Sequence, residues 1–170
     1  MQKPFLALVG QTVIELYPHP LCSQIAAAPD GSVYTLWTKG RGSRRPQLTD
    51  KWRLQDTYCG AKFRPKQSIA LPSEVAKQLP HSGYRVLAGR FNLECYLGRT
   101  LLEHEVCRHG DKGNSDHSID NLTAGCQLNN IIDEVESGRI KTTRAELERA
   151  ITRLECILTS TKPNEPHTAD

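Results

Sequence analysis

Apolar runs broken by glycine, proline and an Asp-Gly turn fill the start of the chain, alternation with a period near two marks residues 84–97 and 101–107, and a period near 3.6 appears toward the end. Residues 4–16, apolar around Gly10, predict a strand pair or a strand and bend, and Tyr17-Pro18-His19-Pro20 is expected to end it because proline cannot donate to a ladder. Ile25 to Trp37 reads strand, Asp30-Gly31 turn, strand, which is a hairpin. Ser68–Leu71 predicts a strand and Pro72–Leu79 a short helix closed by Pro80. Tyr84–Ala88 and Phe91–Leu97 alternate around Gly89-Arg90 and predict a further hairpin. Leu101–Cys107 reads as a short strand leading to His109, with His104, Val106 and Arg108 on one face and Glu105, Cys107 and His109 on the other. Such a strand would let His109 project out of the packed layer. Gly110–Ser118, rich in Gly, Asp, Asn and Ser, predicts a surface loop that cannot bury itself, and Asn121-Leu122-Thr123 a brief return strand. Leu128, Ile131, Ile132 and Val135 then form a helical stripe that stops at Gly138. A second stripe, Leu147, Ala150, Ile151, Leu154, Ile157 and Leu158, follows a capping box at Thr143 and Glu146.

These elements predict an α+β protein: a basic, β-rich part over residues 1–97, a strand–loop–strand–helix unit over 98–138, a C-terminal helix over 139–159 and a frayed tail over 160–170. The C-terminal stripe fits packing over the core, or a homodimer contact. At 170 residues the chain can bury a core, and its 38% hydrophobic content with a mean hydropathy of −0.50 fits a soluble protein. No apolar run approaches the roughly 20 residues of a membrane span. Phe5–Val9 is too short for a secretory signal, so the chain is expected inside the cell. Six cysteines at 22, 59, 95, 107, 126 and 156 contain no C-x-x-C pair, which argues for reduced thiols over structural zinc. A mixed Cys/His zinc site drawn from distant positions stays open.

Charge divides the chain. Residues 1–100 carry 14 Lys/Arg against 6 Asp/Glu, whereas residues 101–170 carry 8 against 13. Much of the excess lies between residues 39 and 66, where Lys39, Arg41, Arg44, Arg45, Lys51, Arg53, Lys62, Arg64 and Lys66 face only Asp50 and Asp56. A solvated loop explains such a stretch; a phosphate-tracking surface on double-stranded DNA explains it equally and accounts for the asymmetry.

The candidate chemistry lies in Cys107–Asn130. An imidazole at the end of a strand can act as a general base, and an amide oxygen on a following helix can help hold a divalent cation. Phosphodiester hydrolysis needs both an activated water and neutralised phosphate charge.

His109, Asn121-Leu122, Gly125, Asn130 and Asp133 together resemble the HNH (ββα-metal, His-Me finger) endonucleases of phage and intron type. His109 precedes Asn121 by twelve positions and Asn121 precedes Asn130 by nine, as in that family's pattern. The Asp30-Gly31 hairpin is also similar to one found at the start of phage members. The resemblance implies a metal-dependent, site-specific DNA endonuclease, of homing or phage-encoded type, working inside a bacterial or phage-infected cell. By it, His109 activates the attacking water, Asn121 holds the loop and the His109 backbone, and Asn130 ligates Mg²⁺ or another divalent cation such as Mn²⁺, with Asp111 a weaker ligand candidate. The chain departs from the pattern at Lys112, at Cys126 in place of Thr, at Gly98-Arg99 where many phage members carry His-Arg, and at Arg108, where many relatives have a metal-binding Asp. Arginine cannot ligate a cation. Arg108 is therefore grouped with the DNA contacts, and Asp111, Glu105 or DNA phosphate oxygens are left to complete the shell. The rival reading is a catalytically inactive DNA-binding regulator on the same scaffold.

Overall fold

Alternating side chains in Phe5–Val9 (β1) and Thr12–His19 (β2) pair antiparallel from Phe5↔Leu16 to Val9↔Thr12, so Phe5, Ala7, Ile14 and Leu16 share one face. Cys22–Ala27 (β3), Val33–Trp37 (β4) and Leu48–Leu54 (β5) extend the sheet in the order β1-β2-β3-β4-β5, each strand antiparallel to the next. The sheet curls until its ends meet, bringing Phe5 of β1 and Trp52 of β5 to a ring-centroid distance of 5.6 Å. A small apolar cluster of Ala7, Leu16, Ala26 and Ala28, bordered by Ile14, Tyr34 and Trp52, fills the inside of the curl. Alanines at three of its four buried positions permit the tight curvature. The computed structural model describes residues 3–40, 45–59, 67–78, 85–136, 138, 145–146, 148–149, 151–152 and 155.

A second, three-stranded antiparallel sheet comprises Thr57–Cys59 (β6), Gln67–Ala70 (β7) and Arg85–Leu87 (β8), with the one-turn helix Ser73–Ala76 (α1) between the last two. Ala88–Leu97 (α2) follows β8 directly and ends at Gly98 in the left-handed conformation. Glu105–His109 (β9) and Leu122–Cys126 (β10) form an antiparallel hairpin, and Gln127–Glu136 (α3) continues from β10 without a break. The protein is thus mixed α+β, built on a curled antiparallel sheet with few helices.

By internal contacts the chain forms two compact units, Met1–Asn130 and Ile131–Asp170. In the second, the described residues between 145 and 155 are helical, with Ile151 half-buried. Arg149 donates to the Ala145 carbonyl and Thr152 to that of Glu148. The rest of the stripe, Leu147, Ala150, Leu154, Ile157 and Leu158, lies outside the described residues, as do Thr143 of the capping box and the tail.

The core of the first unit is organised by α2. Phe91, Leu93, Cys95 and Tyr96 pack with Tyr17, Ile25, Val33, Ile69, Val75, Leu101 and Leu122, so one helix binds together both sheets and the β9–β10 hairpin. Phe91, Ile25 and Ile69 are fully buried, and truncating a residue such as Phe91 to alanine costs about 3–5 kcal/mol.

Three expectations need correction. Residues Ala88–Leu97 are a helix, not the second half of a hairpin. Eight of its ten residues are buried, so no polar face marks the helical period, and its N-cap, Leu87, makes no side-chain cap bond. Tyr17-Pro18-His19 does not end β2, which runs to His19. β1 pairs only as far as Leu16, leaving Pro18 where β2 is bonded to β3 alone and the register shifts. The strand expected from Leu101 starts at Glu105, after a turn in which the Glu105 amide donates to the Leu102 carbonyl.

Candidate functional site

His109 is the last residue of β9 and lies opposite Leu122. On one face of the hairpin, Cys107 and its partner Ala124 pack against the core. Burial pushes the Cys107 thiol up to about 12, so it is not a ready nucleophile. His109, on the same face by alternation, is half-buried, and its ring turns toward the first turn of α2 instead of standing clear of the packed layer.

The loop between β9 and β10 is held by Asn121, which is 3% exposed. Its Oδ1 accepts from the Lys112 amide at 3.1 Å, and its Nδ2 donates to the carbonyls of Gly113 at 3.0 Å and Asp116 at 2.7 Å. Its own carbonyl accepts from the Gly110 amide at 2.8 Å, directly after His109. One buried amide thereby closes the loop across its width and ties its first residue to its last. Ser118 and Lys112 both bond Asp120, and the Ser118 amide donates to Asp116 at 2.8 Å.

The loop is less exposed than its composition suggests: His117 and Ser118 are buried. The reason lies in α2 and the β3–β4 turn. Asn92 donates to the carbonyls of Gly31 at 2.7 Å and His117 at 3.3 Å, and the single Tyr96 hydroxyl proton is shared between those of Ala28 at 2.7 Å and His117 at 3.2 Å. The Ile119 amide donates to the Pro29 carbonyl at 3.0 Å. With these backbone carbonyls and the Ile119 amide satisfied, the segment can leave water. Gly31 is required where they meet: its φ is +88°, and a Cβ there would lie 2.7 Å from the His117 carbonyl carbon.

These contacts bring His117 to His109, with ring centroids 5.5 Å apart and planes tilted by 54°. Burial lowers the His117 pKa, opposed by a backbone hydrogen bond at Asn114 and the charge of Asp116. Sequence reasoning did not single out His117. The only signal available was its place in the loop of His109, and the contact depends on α2, which alternation had disguised.

Of the other residues named from sequence, Asn130 is half-buried on α3, and Asp111 is exposed on the loop. Glu105 is occupied elsewhere: Arg99 grips its carboxylate with two bonds of 2.6 and 2.8 Å and the Leu102 amide adds a third. These hold its pKa down to about 2. The side chain of Arg108 crosses the other face of the hairpin over Gly125. Asn130 and Asp111 offer oxygen, which suits a hard cation such as Mg²⁺. Among the described residues no three His, Cys, Asp or Glu side chains gather as a ligand group.

Five of the candidate DNA contacts are described, Arg108 among them. Lys39 is exposed and paired with Asp56 at 2.6 Å, Arg45 and Lys51 are exposed, and Arg53 is half-buried opposite Thr35. Arg41, Arg44, Lys62, Arg64 and Lys66 lie outside the described residues. A cleft of about 610 Å³ beside the loop is lined by His117, Lys112 and Asp116 together with Asp30, Gln55 and Thr57, but by neither His109 nor Asn130. The four cysteines whose side chains are described, Cys22, Cys95, Cys107 and Cys126, are not joined in disulfides. No described helix is long and apolar enough to cross a membrane. Compared with protein-family models, curated proteins and solved structures, the chain matches none.

Proposed function

We propose that this chain is a metal-dependent DNA endonuclease of the HNH, ββα-metal kind, cutting phosphodiester bonds in double-stranded DNA at a specific site, as phage-encoded and homing enzymes do. One observation carries the reading: an antiparallel hairpin with His109 closing its first strand, a loop stapled by Asn121, and a helix bearing Asn130 that begins as the second strand ends. In this reading His109 accepts a proton from the water that attacks phosphorus. Asn121 keeps the start of the loop, and so the His109 backbone, fixed relative to β10. Asn130, with Asp111 beside the general base in sequence, would hold Mg²⁺ or Mn²⁺, which when bound neutralises phosphate charge and steadies the leaving oxygen. Exposed Arg45 and Lys51, with the other cations of residues 39–66, would meet the DNA backbone.

The test is incubation of purified protein with supercoiled plasmid and with phage or bacterial DNA, in Mg²⁺ or EDTA, alongside His109→Ala. Discrete, metal-dependent products are expected, reduced about 10²–10⁴-fold in the variant with DNA binding retained. Nicked or linear product then distinguishes one-strand from two-strand cutting. Arg108 favours a second reading, a DNA-binding regulator without catalysis, because the position before His109 then offers a cation in place of a ligand. Specific binding with no cleavage in Mg²⁺ or in Mn²⁺ would establish that reading instead.

A further inference from the structure

We propose that His117 is a positioning residue for His109: its buried ring and the bare Cα of Gly89 form a seat that fixes the His109 imidazole. This rests on the reading of His109 as the general base, and it adds a residue to which that reading assigns no part.

Three observations carry it. The first is contact. A Cβ built on Gly89 would lie 3.0 Å from His109 Nε2, 3.3 Å from His109 Cε1 and 3.2 Å from His117 Cδ2, so both rings converge on the same small patch of α2. The second is rigidity. His117 is 7% exposed, and its carbonyl accepts from Asn92 at 3.3 Å and shares the Tyr96 hydroxyl proton at 3.2 Å, from two fully or nearly fully buried residues one turn apart on the helix that carries Gly89. The backbone behind the His117 ring is therefore bound to the helix behind the His109 ring, and the two sides of the seat cannot drift apart independently. The third is asymmetry. His109 is half-buried beside exposed Gly110 and Asp111, and its Nε2, turned to Gly89, is the buried edge of the ring, so the seat sets which edge of the imidazole faces solvent. An uncharged His117, favoured by its burial, meets His109 without charge repulsion. General-base catalysis depends on the nitrogen being within hydrogen-bond reach of the water, and a misplacement of about 1 Å can cost on the order of 10²-fold in rate.

The experiment measures the single-turnover cleavage rate at saturating protein and the DNA dissociation constant separately, for His117→Ala, His117→Phe and Gly89→Ala, with thermal melting of each. His117→Ala is expected to lower the rate about 10–100-fold with the dissociation constant unchanged. His117→Phe restores a ring to the seat and recovers most of the rate. Gly89→Ala lowers the rate as well, and its loss shrinks in the His117→Ala background because the intruding methyl then has room. A His117→Ala protein that cleaves like wild type, or a folded His117→Phe protein as slow as His117→Ala, overturns the proposal. NMR of the histidine rings separates this from failure of the nuclease reading. A nuclear Overhauser contact between the two rings is expected in wild type, and its absence overturns the seat whatever the cleavage result. Its presence in a protein that cuts no DNA leaves the seat intact and removes the base.

Discussion

Helix α2 carries two histidine sites that differ in nearly every physical respect. At one, His19 is 2% exposed, stacks on Phe91 at 4.8 Å, and has both ring nitrogens engaged: the Leu21 amide donates to Nδ1 at 3.3 Å, leaving Nε2 to donate to Glu94 at 3.1 Å. Glu94, 1% exposed, also accepts from Arg90 at 3.2 Å and from the Leu101 amide at 3.0 Å. At the other, His109 is half-buried, against a glycine and a second imidazole, and is followed at once by exposed loop. A histidine closed on all sides by core partners can only support the fold. One held by packing at the edge of the core can also meet a substrate. The two sites share a helix, so the rigidity of the first is available to the second.

The sharpest way to break this comparison is at the closed site. Glu94→Ala leaves His19 and Arg90 without their shared carboxylate and is expected to cost about 3–5 kcal/mol, read by urea denaturation. If Glu94 can be removed for less than about 1 kcal/mol, its cluster is not the anchor of α2. Next comes Asn121→Ala, which removes three side-chain bonds from the loop and is expected to cost about 1–3 kcal/mol. Because the lost bonds border His109, cleavage should fall further than stability alone explains. An equal loss in both would make Asn121 a structural residue only.

Acid separates the sites by pH. The pKa of His117 is lowered, chiefly by burial, so its unfolded form binds protons first. Stability is then full above the ordinary histidine pKa, about 6.5, and falls as pH drops below it. Burial pushes the Glu94 carboxyl up, but hydrogen bonds from His19 and the Leu101 amide, with the charge of Arg90, outweigh it and hold the group below its usual range. Its contribution is present above the ordinary carboxylate pKa, about 4.3, and is lost as pH falls through the lower folded value. Denaturation across pH should show two declines, with the upper one removed by His117→Phe and the lower reduced in Glu94→Gln. The smallest effect is expected at Lys39→Ala: its pair with Asp56 is exposed on both sides and is worth about 0–1 kcal/mol, so stability hardly moves. DNA affinity and its salt dependence should weaken instead, if Lys39 meets phosphate.

How far sequence reached depended on whether one face of each element meets water. The strands about Gly10 and Asp30-Gly31 were legible as short apolar runs on either side of a turn residue, and α3 was legible because Leu128, Ile131, Ile132 and Val135 keep helical spacing. The spacing of His109, Asn121 and Asn130 was legible too, since the β9–β10 hairpin is local in sequence. What alternation could not disclose was α2. A helix buried all round has no polar stripe, and Phe91 and Tyr96 have side chains at home in strands. Gly98, in the left-handed conformation that often ends a helix, was the one sequence sign available.

Sequence by itself determined the local features of this protein: an antiparallel, strand-rich first half, a loop after His109 rich in turn-forming residues, a helix stopping near Gly138, and a basic stretch from Lys39 to Lys66. Each follows from residues near one another in the chain. Only the tertiary structure decided that α2 exists, that Glu94 and His19, 75 residues apart, form a closed pair, and that His117 is buried beside His109. Those outcomes depend on which distant groups satisfy a buried polar atom, and nothing in the spacing of nearby residues records that choice.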